Sequence, residues 1–460
     1  MHQEHIADRI GQWIMTTPSP GTEFLASGVS YQDVYALANS LRKSLGKQEG
    51  VVCVCSSDKA LIAASILAAL AEGFSLVLPH AFSDPVLREL QNTFEVRTAI
   101  TDEPESLPAF LNPAQPERVA DSSFNHPLRI DPDQDFLYFF TGGSTDAPKM
   151  WPKTPENLFS EAFYHSRKWN LSSEDVILAT VPPHHIYGFL FTVLVPFVAS
   201  AAVVPEVVTF PEEIRRAMAR YAPSIFVSVP VHYKMFQKSP ISGQSPRLAL
   251  SSAGMLDERD AACFYRQTGT RVIEIYGSTE TGGIASRDRV FGDSVLVPFE
   301  LLDWKIVRDQ LEVRSPFISP ACAKDAEGFF QTGDRAKPAG DKGFILLGRA
   351  DGVIKVGGRR IDLHEVQDKL RRIHGVEDAV ALAFSLENGR ENEIRALVQA
   401  RQDIQDIREQ AQGLLEPSAI PRRIYVVERI PTSSTGKYDR EKVESLLTDE
   451  AIHPGPDRPA

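Results

Sequence analysis

The sequence predicts an α/β protein: a large N-terminal domain built on parallel or mixed sheets with a small antiparallel subdomain, followed by a small α+β domain. Short apolar runs alternate with helix-period segments from the start of the chain to about Tyr276. Between Val290 and Leu347 the pattern changes to short strands separated by turns, and a new helix-and-strand set begins after Gly348-Arg349-Ala350-Asp351. Strands separated by helices imply right-handed crossovers and a parallel sheet. A chain of 460 residues has room for about three domains. The expected boundaries are 1–350 and 351–452, with a proline-bearing tail at 453–460 expected to be disordered.

Each element has a local reason. Ser30 and Asp33 carry the signature of a helix cap, Val34, Leu37, Leu41 and Leu45 recur at helical spacing, and Gly46 closes the run. Val51–Cys55 reads as a buried strand, Lys59–Ala71 as a helix, Phe74–Leu78 as a strand, Asp84–Thr93 as a helix, and Val96–Thr101 as a strand. Pro104 to Pro132, rich in proline and polar residues, reads as a surface connection, and Asp135–Phe140 as a strand entering a Gly/Ser/Thr loop. Phe189 to Val204 is nearly uncharged, but it falls short of the ~20 residues a membrane helix needs and Pro196 interrupts it. A buried helix feeding a strand is therefore expected there. Trp304–Val307, Gln310–Val313 and Gly343–Leu347 supply the antiparallel strands. In the last stretch Asp362 and Glu365 predict a capping box, and Val366, Leu370 and Ile373 form an apolar stripe. Strands near Ala379–Phe384, Glu393–Gln399 and Arg423–Val427 and a helix near Ile404–Leu415 complete the unit.

Composition narrows the function. Hydrophobic residues make up 43% and charged residues 24%, as in a globular protein with a substantial core. A formal net charge of -12 argues against nucleic acid as a partner, since phosphate backbones are held by clustered Lys and Arg. A single nucleotide, held by one loop and a cation, stays open. Cys53 and Cys55 would share one face of a strand as small buried hydrophobes, and Cys263 and Cys322 have no companion at ligand spacing. The N-terminal Met1-His2-Gln3-Glu4-His5 lacks the basic start and apolar run of a signal peptide. A reducing, cytoplasmic location is the expectation.

The loop Thr141-Gly142-Gly143-Ser144-Thr145-Asp146-Ala147-Pro148-Lys149 follows the strand ending at Phe140. Glycines let backbone N–H groups approach an anion, Ser and Thr add donors, and lysine adds a mobile charge. Its spacing is not that of a Walker loop. Alone, such a loop is more often a turn than a phosphate cradle.

Further segments give it context. In chain order they are Pro182-Pro183-His184-His185-Ile186-Tyr187-Gly188, Ser251-Ser252-Ala253-Gly254-Met255-Leu256, Tyr276-Gly277-Ser278-Thr279-Glu280 and Glu327-Gly328-Phe329-Phe330-Gln331-Thr332-Gly333-Asp334. Then come Gly348-Arg349-Ala350-Asp351-Gly352-Val353-Ile354-Lys355-Val356-Gly357-Gly358-Arg359-Arg360-Ile361 and Pro431-Thr432-Ser433-Ser434-Thr435-Gly436-Lys437. With the loop, this series resembles the ordered motifs of the adenylate-forming superfamily, which includes acyl-CoA synthetases, aryl-CoA ligases, peptide-synthetase adenylation domains and luciferase. The resemblance spans nearly the whole chain.

It implies that the protein activates a carboxylic acid with ATP and Mg²⁺ as an acyl adenylate and passes the acyl group to a thiol. That thiol would belong to coenzyme A or to the phosphopantetheine of a carrier protein. Thr141, Gly142, Gly143, Ser144, Thr145 and Lys149 would hold the triphosphate. Tyr276 and Gly277 would meet the adenine, Thr279 the α-phosphate, and Asp334 and Arg349 the ribose. Glu280 would hold Mg²⁺ through a hard oxygen. Lys437 would stabilise the charge that develops as the carboxylate attacks the α-phosphorus. His185 would lie beside the carboxylate, Asp351 would mark a hinge, and Gly358 would face the site during thioester formation. Each residue also has a plainer reading: an aromatic ending a strand serves the core, and a histidine among prolines is commonly structural. The paired histidines lack a carboxylate or Cys companion at metal-ligand spacing.

Two positions depart from the superfamily pattern. Asp146 stands where glycine is usual and Met150 where glycine is common. Asp tolerates a left-handed backbone, but its charge beside a triphosphate weakens binding. A catalytically quiet nucleotide-binding or regulatory protein is therefore an alternative of another class. Gly188-Phe189-Leu190-Phe191-Thr192-Val193 carries no acid to pair with an α-ammonium, so an aryl or medium-chain acid is expected rather than an α-amino acid. Phe189, Phe226, Val227 and Ala253–Met255 are candidate pocket walls.

Overall fold

The computed structural model describes residues 6–15, 21–46, 48, 50–116, 124, 126, 129–141, 149–241, 244–290, 292, 294–356, 359–385, 392–433 and 437–448. The chain divides into two compact units, the first comprising 1–142, 148–303 and 314–330 and the second 143–147, 304–313 and 331–460.

The first unit holds two sheets. In the six-stranded sheet the order is Asn112–Ala114, Thr98–Thr101, Val51–Cys55, Ser75–Val77, Leu137–Thr141 and Lys149–Lys153. Its first five strands are parallel and the last is antiparallel, with Thr141 opposite Lys149 and Leu137 opposite Lys153. The edge strand Asn112–Ala114 lies inside the segment read from sequence as a bare connection. The nine-stranded sheet runs Val297–Pro298, Gly282–Asp288, Val272–Ser278, Leu248–Ser251, Ile225–Ser228, Val176–Ala179, Ala202–Val203, Glu23–Leu25 and Val29–Ser30. The strands from Val272–Ser278 through Glu23–Leu25 are parallel, so their carboxyl ends share one edge, where α/β sheets bind ligands.

The helix Lys59–Glu72 is buried almost all round, as its Ala/Leu/Ile composition requires. Its Lys59 is 1% exposed, and the ammonium donates to the carbonyls of Val204, Pro205 and Glu206 beyond the strand Ala202–Val203. The cap expected at Ser30 is present: its hydroxyl accepts from the Asp33 N–H, and the Asp33 carboxylate accepts from the Ser30 N–H. The apolar stretch forms helix Ile186–Phe189, a π-turn Leu190–Leu194 and helix Val195–Ala199, leading into the strand Ala202–Val203. Tyr31 secures its far end by donating to the carbonyls of Pro196 at 2.7 Å and Ala201 at 2.8 Å. Among the described residues no helix is long and apolar enough to cross a membrane. Cys53 and Cys55 are buried in the apolar layer over the six-stranded sheet, with their sulfurs 3.4 Å apart.

The second unit contains an antiparallel sheet of Asp303–Val307, Gln310–Arg314, Phe330–Pro338 and Phe344–Arg349. A second sheet, Val376–Ser385, Asn392–Ala400 and Arg423–Val427, packs with helices Leu363–Arg371 and Ile404–Leu414 around Val366, Leu370, Ile394, Val398 and Ile407. The capping box expected from Asp362 and Glu365 does not form. One Asp362 oxygen accepts from the His364 N–H at 2.9 Å, and the other takes Arg335 at 2.7 Å. Glu365 turns outward to Lys369 at 2.8 Å.

Candidate active site

In the first unit, Tyr276, Thr279, Glu280 and His185 lie at or beyond the carboxyl ends of strands of the nine-stranded sheet. Strands Val272–Ser278 and Gly282–Asp288 form a hairpin whose turn carries Thr279 and Glu280. The Ser278 and Thr281 hydroxyls each accept the other's backbone N–H at 3.2 Å, closing the turn. Gly277 is required there, because a Cβ would collide with the Gly282 carbonyl oxygen; Gly282 itself has φ +67°. A buried ion pair steadies the hairpin, with the Glu274 carboxylate accepting from Arg287 at 2.9 Å. Tyr276 is half-buried on this strand, opposite Ala285. On the neighbouring strand Ser252 donates to the Ile275 carbonyl at 2.9 Å, and the chain turns through Ala253 at φ +69°. Ala253, Gly254 and Met255 are thereby exposed at the edge. Phe189, Phe226 and Val227 are fully buried core residues.

His185 precedes the helix Ile186–Phe189, and its carbonyl accepts the Phe189 N–H at 2.7 Å. Gly188 permits this tight start, since a Cβ would meet the Pro182 carbonyl oxygen. The rings of His184 and His185 are 4.7 Å apart. Burial first, then the neighbouring His80, pulls the His184 imidazole below its ordinary range. Among the described residues no cluster of His, Cys, Asp and Glu could hold a metal ion by itself.

Thr141 and Lys149 face each other across the strand pair that flanks the Gly/Ser/Thr loop. Gly142, Gly143, Ser144, Thr145 and Asp146 lie outside the described residues, as does Gly358.

The second unit carries the other candidates. Asp334 and Arg349 are direct register partners on adjacent strands, with guanidinium and carboxylate 3.6 Å apart. Thr332 holds both, its hydroxyl accepting the Asp334 N–H at 3.1 Å and its carbonyl accepting from Arg349 at 3.2 Å. Lys437 is exposed, and its carbonyl accepts the Ser433 N–H at 2.7 Å. The next residue is anchored: Tyr438 donates to Asp378 at 2.8 Å and accepts from Arg371 at 2.7 Å.

Sequence reasoning missed what lies beneath the Glu280 turn. Lys153 is 1% exposed, and its ammonium donates to the Phe317 carbonyl at 2.7 Å and the Glu280 carbonyl at 3.1 Å. Burial pulls it down to about 8, with Glu161 the leading charge in opposition. Glu161 is also buried and accepts the Gly283 N–H at 2.6 Å. Lys153 ends the strand that Lys149 begins, so it joins the two sheets at this edge. No local pattern marks a lysine at a strand end for burial; only the long-range contact does.

Residues 27–316 match the family of AMP-binding enzymes. A sulfoacetate–CoA ligase of Cupriavidus necator is 26% identical over 343 residues, covering 68% of this chain and 67% of the relative. The mitochondrial malonate–CoA ligase ACSF3 of Mus musculus is 24% identical over 380 residues, covering 68% of this chain and 65% of the relative. The aligned stretch thus spans about two thirds of these relatives' length. The ATP-bound crystal structure of MatB from Rhodopseudomonas palustris superposes with a TM-score of 0.84 at 19% identity, over 96% of this chain and 99% of that one. The chain belongs to the AMP-binding enzyme family, within the adenylate-forming superfamily, and its fold is that of the superfamily's acyl-CoA synthetases.

Proposed function

We propose that this chain is an AMP-forming acid–thiol ligase. The carboxylate of its substrate attacks the α-phosphorus of ATP, pyrophosphate leaves, and the acyl adenylate then passes its acyl group to a thiol with release of AMP. The observation that carries this reading is the Tyr276–Glu280 hairpin end: a glycine with no room for a side chain, and a turn closed by Ser278 and Thr281 that carries Thr279 and Glu280 in succession. That hard-oxygen set suits Mg²⁺, which when bound would neutralise phosphate charge.

In this reading Thr279 and Glu280 meet the α-phosphate and its cation, Tyr276 stacks on adenine, and Asp334 takes the ribose hydroxyls with Arg349 beside it. The loop from Thr141 to Lys149 holds the triphosphate, and His185 borders the acyl carboxylate. Lys437 stabilises the charge that builds at the α-phosphorus. The segment after Asp351 is the hinge that exchanges Lys437 for the Gly358 face between the two half-reactions.

The proposed acid is an aryl or medium-chain acid without an α-ammonium, because Gly188–Val193 is buried and holds no carboxylate. The relatives named for sulfoacetate and malonate favour a second reading, a short acid with a second acidic group. Coenzyme A is the proposed acceptor, and a carrier protein's phosphopantetheine the alternative.

The test is product analysis by mass spectrometry with ATP, an acid panel and either acceptor. The panel holds benzoates, medium-chain fatty acids, malonate and sulfoacetate. An aryl- or medium-chain acyl-CoA is expected. Malonyl-CoA or sulfoacetyl-CoA selects the second reading, and a thioester on the carrier alone moves the acceptor. ATP binding with neither adenylate nor thioester from any acid selects the catalytically quiet protein that Asp146 suggests.

A further inference from the structure

We propose that Lys153 is a positioning residue for Glu280: from beneath the Ser278–Thr281 turn its ammonium holds the Glu280 carbonyl, fixing where the adjoining carboxylate and the Thr279 hydroxyl stand. The inference rests on the reading that Glu280 meets the nucleotide's divalent cation.

The chemistry of the location supports it. A fully buried cation costs several kcal/mol in desolvation, and an apolar side chain fills such a position at lower cost. Lys153 nevertheless stands there, and its ammonium donates to two main-chain carbonyls, those of Glu280 and Phe317. The same Glu280 carbonyl also accepts the Ser319 N–H at 2.8 Å, while the Ser319 hydroxyl donates to the Pro152 carbonyl at 2.7 Å. Strand Lys149–Lys153, segment Phe317–Ser319 and the Glu280 turn are thereby stitched at one point. Glu161 holds the Gly283 N–H just after the turn, so the turn and the strand that leaves it are both held. The other charged or titratable groups facing the ammonium are Cys322, Glu280 and Lys324. Lys153 thereby ties the strand Lys149–Lys153 to the turn that carries Glu280.

The experiment measures the ATP dissociation constant by isothermal titration with and without Mg²⁺, together with melting temperature. It uses wild type, Lys153→Met, Lys153→Gln and Glu280→Gln. Wild type is expected to bind ATP more tightly with Mg²⁺. Lys153→Met, which keeps length but loses all donors, is expected to lose at least tenfold of that Mg²⁺-dependent gain, over and above any weakening of ATP binding without Mg²⁺. Lys153→Gln, whose amide cannot span both carbonyls, should fall between, and it carries the test if the Met variant does not fold. A folded Lys153→Met with the full Mg²⁺-dependent gain overturns the proposal, leaving Lys153 structural; so does an unaltered Lys153→Gln when the Met variant is unfolded. If Glu280→Gln also keeps the gain, the reading of Glu280 as a cation ligand falls, and this inference falls with it. If Glu280→Gln loses the gain and the Lys153 variants keep it, only this inference falls.

Discussion

At the residue scale, Gly277 sets the tightest local condition on the site. Any side chain there meets the carbonyl of Gly282 across the hairpin, so the strands must part before one fits. Overpacking of this kind costs about 1–3 kcal/mol and displaces backbone. Gly277→Ala is expected to lower the melting temperature by several degrees and to raise the ATP Kd at least tenfold in isothermal titration. Wild-type ATP binding would show that the hairpin end is not part of the nucleotide site. His232 makes a second prediction, about pH. It is 4% exposed, its Nδ1 lies 2.7 Å from the Thr180 hydroxyl, and burial pulls its imidazole down to about 4. As pH falls below the ordinary histidine range near 6.5, the unfolded chain takes the proton while the folded one does not. Stability therefore drops between about pH 6.5 and 4, by on the order of 3 kcal/mol at the lower end. Urea titrations at pH 7 and pH 4.5 should show a smaller loss for His232→Asn than for wild type. An equal loss would assign the acid sensitivity to other groups.

At the element scale, Lys437 is held in place by its neighbour in the chain. Tyr438 reaches both the helix Leu363–Arg371, through Arg371, and the strand Val376–Ser385, through Asp378. Tyr438→Phe removes the shared hydroxyl but leaves Arg371 and Asp378 paired at 3.0 Å. The expected stability loss is only about 1 kcal/mol, with a larger effect on kcat of adenylation than on KM for ATP. A change in KM alone would contradict a role for this anchor in placing Lys437. The same unit shows where local reading stops. Ser30 and Asp33 cap each other because the two partners stand three residues apart at an exposed helix start. Asp362 sits in an equally good local pattern with Glu365, yet Arg335, 27 residues away in sequence, takes its second oxygen. Asp362 still caps the helix through the His364 N–H, but a charged partner from another strand holds its second oxygen and the box with Glu365 does not form; sequence spacing carries no sign of this.

At the scale of the whole molecule, the layered α/β architecture was legible because helix and strand periods alternate cleanly and the strands begin close to where apolar runs begin. Val51–Cys55 and Arg423–Val427 match the expected limits. The edge strand Asn112–Ala114 escaped notice, since its Asn-Pro-Ala sequence has no strand character and it forms by pairing with Thr98–Thr101. The linear motifs of the candidate site were legible, because each holds its chemistry within a few residues. Lys153 and Glu161 were not: their partners lie more than one hundred residues away in sequence. They support the site through the fold, and only the assembled sheets bring them under the Glu280 turn.

The central claim, that this chain adenylates a carboxylic acid through Lys437, is tested most directly by isotope exchange between pyrophosphate and ATP. Wild type should catalyse exchange that depends on one class of added acid. Lys437→Ala, at an exposed position, should melt with wild type and exchange at least one-hundredfold more slowly. Exchange at the wild-type rate in Lys437→Ala, or ATP binding without exchange for any acid, would contradict the account.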